Sequence, residues 1–265
     1  MKPSPLYKNI TTGQVILDKS EAASYKGVAL KTAIFLAMNL VGALLAYFLL
    51  PMLVNKANAT GDAYPLSSFL IAVVISSIVA FIFGLIGRFS SRTTPVTGTI
   101  YSVAIGFTIG ALTSIVDHYM IRFAGVICIL GTFVIYGVML LLFATGVVKP
   151  SNKLRAVVLG LLISGLLLAL ATLIFGLVMR GSTGYNSEWG YSTYLWMCIG
   201  VEVFFLLYGV ITLTYNFCEA QAVVAGGSPK KEEWNVALGM EISLVYIYME
   251  LLRLLILIAQ LADRK

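Results

Sequence analysis

Apolar runs of roughly 20 residues, separated by short polar breaks, recur along the chain at Val28–Val54, Pro65–Gly87, Val96–Ile115, Phe123–Val147, Ala156–Met179, Tyr194–Phe217 and Trp234–Leu261. As a helix, each run is long enough to cross a hydrocarbon core of about 30 Å. Period-two alternation is absent, and a bilayer offers no partner to an open sheet edge. The pattern therefore predicts an all-α membrane protein with seven transmembrane helices.

The last run differs from the others because Glu241, Glu250 and Arg253 interrupt a stretch otherwise built from Leu, Ile, Val, Met and Tyr. Charged side chains in such a span are costly and usually face protein or a water-filled cavity. At 100° per residue, Asn235, Gly239, Ser243, Tyr246, Glu250 and Arg253 share one face. Glu241 and Tyr248 fall on roughly the opposite one. A helix polar on two sides cannot rest against lipid on either, so the seventh helix is expected at the centre of the other six. Glu250 and Arg253 lie at i and i+3 and also fit a plain ion pair. Glu241 has no basic residue within a turn or two.

Composition agrees with this reading. The 265 residues are 59% hydrophobic and only 11% charged, with mean hydropathy +0.93, whereas a soluble domain is about a quarter charged. The net charge of +6 points to anionic lipid headgroups at one face, because the basic residues sit in short loops and no basic run carries interleaved aromatics. With a cytoplasmic N-terminus, the inner segments hold Lys2 through Lys31, Arg88, Arg92, the Lys149–Arg155 group and Lys230–Lys231. The outer loops hold only Lys56, Arg122 and Arg180. Residues 1–26 read as a polar cytoplasmic tail without a signal-peptide core, and 27–265 as the membrane domain. Cys128, Cys198 and Cys218 show neither metal-site nor disulfide spacing. Asn9-Ile-Thr11 and Asn58-Ala-Thr60 match a glycosylation acceptor that is common by chance. Asp117 and the single histidine, His118, read as a solvated turn.

Two other spans carry patterned polarity. Gly98, Ser102, Gly106, Gly110 and Ser114 stand four apart in the third, the spacing that brings another helix backbone into close contact, with a narrow passage as the alternative. Glu202, Tyr208, Thr212 and Tyr215 mark the sixth, which ends in Asn216-Phe217-Cys218-Glu219. The breaker Gly226-Gly227-Ser228-Pro229 then turns the chain into the last helix, making the two antiparallel neighbours. At 1.5 Å per residue, Glu202 and Glu250 each lie roughly 25 Å from the hairpin and share a depth.

Asn216-Phe217-Cys218-Glu219, Gly227-Ser228-Pro229-Lys230, Glu233-Trp234 and Tyr248-Met249-Glu250-Leu251-Leu252-Arg253 resemble the Bax-inhibitor-1 family in its bacterial branch. Gly27–Ala33, Pro95-Val96-Thr97, Tyr101 and Gly106–Ser114 agree with it in order and spacing. The resemblance implies six helices around a central seventh, residence in a bacterial inner membrane, and association with a pH-sensitive calcium leak or with restraint of a membrane-bound protease. It also locates departures. Ile105 stands where the branch usually has a Glu, and Asn216-Phe217-Cys218 where it has Asp-Phe-Asp. Ser243 stands where relatives carry an Asp that pairs with one in the sixth helix as a pH-responsive latch.

The leading functional expectation is a passive cation pathway along the seventh helix, with calcium as the candidate ion, since carboxylates supply the oxygen ligands that hard cations prefer. Burial favours the neutral carboxyl, so acidification would gate such a path. Glu250 would be the main carboxylate and Arg253 its holding partner. Glu241, Glu202 and Glu219 would supplement it, with Asn216 and Ser243 at the latch positions. The rival is a non-conducting membrane protein that binds a protease or other partner through its helices or the Pro229–Glu233 hairpin. A secondary transporter lacks visible repeats or paired broken helices. No catalytic motif is present, so neither an enzyme nor a resident cofactor is expected.

Overall fold

The computed structural model describes residues 22–61, 64–144, 152–181 and 188–262. Within them lie seven helices: α1 Tyr25–Thr60, α2 Tyr64–Phe89, α3 Thr94–Tyr119, α4 Ala124–Ala144, α5 Asn152–Gly181, α6 Glu188–Ala225 and α7 Glu232–Ala262. Each is long and apolar enough to cross a membrane. Local chemistry sets several ends. The Ser24 hydroxyl accepts from the Gly27 N–H to cap α1, Gly61 closes it with φ 69°, and a proline stands in the first turn of α3. Glu232 and Glu233 occupy the first turn of α7, where the helix dipole favours negative charge.

Among the described residues, α7 packs against α1, α2, α3, α4 and α6, and α5 against α6 alone. The last helix is therefore central to the bundle, as its two polar faces require, with α5 as an outlying member. α3 and α7 bury the largest share of their side chains and α5 the smallest.

The small-residue column of α3 resolves in favour of tight packing. A Cβ on Gly106 would stand 2.1 Å from the Asn39 carbonyl oxygen and one on Gly110 2.0 Å from that of Ala43. Gly42 of α1 meets the Val103 carbonyl in the same way, at 2.2 Å. The two backbones touch, as the spacing predicts.

The sixth helix does not end at Asn216–Glu219 but continues to Ala225, so these residues lie within the helix. The expected tail also shortens. Residues 22–26 belong to the bundle: Ala22 bridges Pro229, and the Ala23 N–H donates to the Ser228 carbonyl at 2.7 Å. Residues 1–21, with Asn9 and Thr11, lie outside the described residues, as do Lys149, Arg264 and Lys265. Asp117 is not simply solvated. Its carboxylate accepts from the Tyr47 hydroxyl at 2.9 Å and the Gly125 N–H at 3.0 Å, tying α1 and α4 to the end of α3. His118 is exposed, edge-on to Tyr119.

Candidate functional site: a polar seam between α6 and α7

Both polar faces of α7 are buried, in different company. On one, Glu241 is fully buried and accepts from the Ser102 hydroxyl at 2.8 Å. Its Oε1 has no partner, nor does the buried Asn39 Nδ2, although that amide is near enough to act on the carboxyl. About two turns further along, the Tyr248 and Thr113 hydroxyls bond at 2.8 Å. This face is closed by α1, α3 and α4. Ile105, at the position where a Glu was expected from the resemblance, packs against the apolar cluster of Phe35, Tyr101 and Leu238. Glu241 therefore does not join the other carboxylates of the chain. It is a buried acid with one hydroxyl donor.

That single donor makes Ser102 a sensitive position. Ser102→Ala is expected to lower the melting temperature of purified protein by the cost of one orphaned buried group, about 1–3 kcal/mol. Glu241→Met in the same background should recover part of the loss, because it removes the acid that had been left unpaired.

The opposite face runs along α6. At the hairpin end, the Arg88 guanidinium donates to the Asn235 side chain at 2.9 Å and to its carbonyl at 3.2 Å, and pairs with Glu219 at 3.2 Å. The Asn235 amide returns a bond to the Arg88 carbonyl. Glu219 is thus held in an ion pair at the mouth of the seam. Two turns further along α7, the Asn216 amide donates to the Gly239 carbonyl at 2.8 Å and to the Ser243 hydroxyl at 2.6 Å. Asn216 and Ser243, the two positions at which an acidic latch was expected from the resemblance, do meet. They meet as a neutral amide and a neutral hydroxyl.

Next come Tyr208 and Tyr246, rings edge to face at 5.8 Å. A Cβ on Gly209 would lie 2.8 Å from the Tyr246 ring, so the two helices approach closely there. Beyond it, Glu250, 2% exposed, receives Arg253 at 3.4 Å and stands close enough to Tyr246 and Glu202 to interact with both. Glu202 and Glu250, expected to share a depth, are neighbours. One oxygen of each carboxyl, Oε2 in both, is buried without a donor. Glu202 and Arg253 also line a cleft of about 460 Å³ between α5 and α6, with Thr172, Tyr194, Cys198 and Phe205.

From Asn235 to Arg253 is about 27 Å along the helix, close to the thickness of a hydrocarbon core. The six positions that share a face by sequence are the positions that meet α6, Arg88 or the cleft. The structure adds Arg88 and Ser102 to them. A lone arginine at the end of the apolar second span was the available signal for Arg88. Ser102 was visible only as one member of a packing column. Among the described residues, no three His, Cys, Asp or Glu side chains come together to hold a metal ion.

At the hairpin end a second group joins the start of α1 to the α6–α7 hairpin. Glu233, 2% exposed, accepts from the Ser24 N–H at 2.7 Å and pairs with Lys31 at 2.5 Å. Lys31 also donates to the Lys230 carbonyl and stands over the Trp234 ring. Gly27 is packed directly on this carboxylate. Ser91 donates to Glu232 at 2.7 Å.

Comparison with curated proteins and with solved structures gives no match. The family model described as Bax inhibitor 1 like matches residues 5–260, so almost the whole chain, seam included, belongs to the Bax inhibitor 1 like family.

Proposed function

We propose that the protein is a passive cation conductor whose path follows the α6–α7 seam. The observation that carries this reading is the unbroken succession of polar side chains along one face of α7, from Arg88 and Asn235 through Asn216 and Ser243 to Glu250 and Glu202. An apolar bundle has no packing need for such a column, and polar groups inside a membrane mark ion paths. Tyr246 against Gly209 is one close approach along this path, and the cleft beyond Glu202 is its far mouth. None of the seven helices is interrupted, which favours a leak over an alternating-access carrier. We assign the hairpin end, with Arg88, Lys230 and Lys231, to the cytoplasmic side of a bacterial inner membrane.

The test is ion flux into liposomes holding purified protein, read with proton, sodium, potassium and calcium indicators. The Glu202→Gln/Glu250→Gln variant is expected to lose most of the flux, whichever ion carries it. Equal flux in variant and parent overturns the path.

One observation favours the second reading, a non-conducting partner-binding protein. The acids at the hairpin end are all engaged, Glu219 by Arg88, Glu232 by Ser91 and Glu233 by Lys31. Calcium recruitment would have to break those contacts. A stoichiometric partner, such as a membrane protease, recovered from native membrane together with flux-free liposomes would establish it.

A further inference from the structure

The cleft between α5 and α6 is bracketed by two close approaches. A Cβ on Gly165 would lie 2.8 Å from the Phe205 ring, and one on Gly176 3.1 Å from that of Tyr194. Eleven residues of α5 separate them, about 16 Å. Between these points the helices part, and the gap holds Glu202 and Arg253. α4 and α5 share no contact among the described residues, so the bundle leaves this cleft unclosed on that side. Arg253 is 53% exposed, whereas Glu250 is 2% exposed.

The charges at this point can be counted. Glu202 and Glu250 bring two negative charges when ionised and Arg253 brings one positive. The other titratable groups near the pair among the described residues are the phenols of Tyr194, Tyr208 and Tyr246 and the thiol of Cys198, none of which carries a charge in its ordinary form. The sum is one uncompensated negative charge. Each acid also turns a buried oxygen toward no donor. Two ionised carboxyls sharing a single guanidinium, one of them on the buried Glu250, are costly in a poor dielectric. One further positive charge would neutralise the group.

From this geometry we infer that Glu202, Glu250 and Arg253 form a site for one proton or one monovalent cation, open to the α5–α6 cleft, and that Arg253 excludes divalent ions. A proton or a sodium-sized cation brings the site to zero charge. A calcium ion leaves it at plus one in a medium that penalises net charge. The inference deepens the cation-path reading by naming its ion class, and it rests on that reading only for flux, not for occupancy.

Occupancy is therefore measured without conduction. Dicyclohexylcarbodiimide modifies protonated carboxyls inside membranes, and mass spectrometry locates the adduct. Purified full-length protein should be labelled at Glu202 or Glu250, about once per chain, and labelling should slow several-fold with sodium or with rising pH but not with calcium at equal ionic strength. Arg253→Gln raises the site to two net negative charges, so calcium should then protect as well as sodium does. Arg253→Lys, which keeps the charge, should retain the parent's preference. Calcium protecting the parent as strongly as sodium overturns the assignment, as does the absence of labelling at both acids. Liposomes that pass no ion while sodium still protects would defeat the conduction reading and leave the site standing.

Discussion

Gly110→Leu is expected to abolish the folded bundle rather than weaken it. A Cβ at this position stands 2.0 Å from the Ala43 carbonyl oxygen, and the atom it meets is backbone, which cannot rotate away. α1 and α3 would have to separate by well over an ångström. That movement would also open the neighbouring contact at Gly106 and strain the hydrogen bond from Ser114 to the Tyr47 carbonyl. Overpacking of a tight interface costs about 1–3 kcal/mol when side chains can shift, and more when they cannot. Size-exclusion profiles of a fluorescent fusion in mild detergent would report the result as aggregated or absent monodisperse protein. Gly137→Leu is the control, because a Cβ there meets nothing within 4 Å. A monodisperse Gly110→Leu protein with unchanged melting temperature would mean that the α1–α3 seam is not the contact described.

Lys31→Met is expected to have the second largest effect, although it lies at the end of the bundle. Among the described residues Lys31 is the cation paired with Glu233, and both groups are well buried, with side-chain exposures of 15% and 2%. Removing one partner of a buried pair typically costs about 3–5 kcal/mol, because the remaining charge is left in a poor dielectric. The Ser24 N–H would still hold one carboxylate oxygen, which places the loss toward the lower end of that range. The double variant Lys31→Met/Glu233→Leu should recover most of it, since an apolar pair of similar volume leaves nothing uncompensated. Thermal unfolding of both variants in detergent would read the difference. Equal melting temperatures for the parent and Lys31→Met would show that the clamp between the start of α1 and the hairpin contributes nothing.

The neutral Asn216–Ser243 contact stands where the resemblance implies a pH-responsive latch. A latch of two carboxyls changes strength with pH because its charge changes. An amide and a hydroxyl carry none at any pH the protein meets. If conduction here responds to pH, the response must arise elsewhere, and the Glu202–Glu250 pair is the nearest arrangement of two acids on the same seam.

Much of this was legible in the residues themselves. The span count followed from run length. The central position of α7 followed from polar residues on two faces, because the cost of exposing them to lipid leaves no other place for such a helix. The 100° spacing also placed Asn235, Gly239, Ser243, Tyr246, Glu250 and Arg253 together, since helical periodicity is a property of the chain alone. The close approach of α3 to another helix was readable from its glycines, but not that α1 is the neighbour.

The chain by itself thus determined seven apolar helices, a central seventh and the residues that share its faces, because length, hydropathy and helical period are local quantities. Tertiary structure decided which helix each face meets. Glu241 was given to Ser102 and a closed interior. Glu219 was drawn into an ion pair by Arg88 of α2, and Glu250 was set beside Glu202 and an open cleft. These assignments depend on the rotation and order of helices in the bundle. They are set by side-chain packing summed over many contacts distant in sequence, so no single stretch of the chain encodes them.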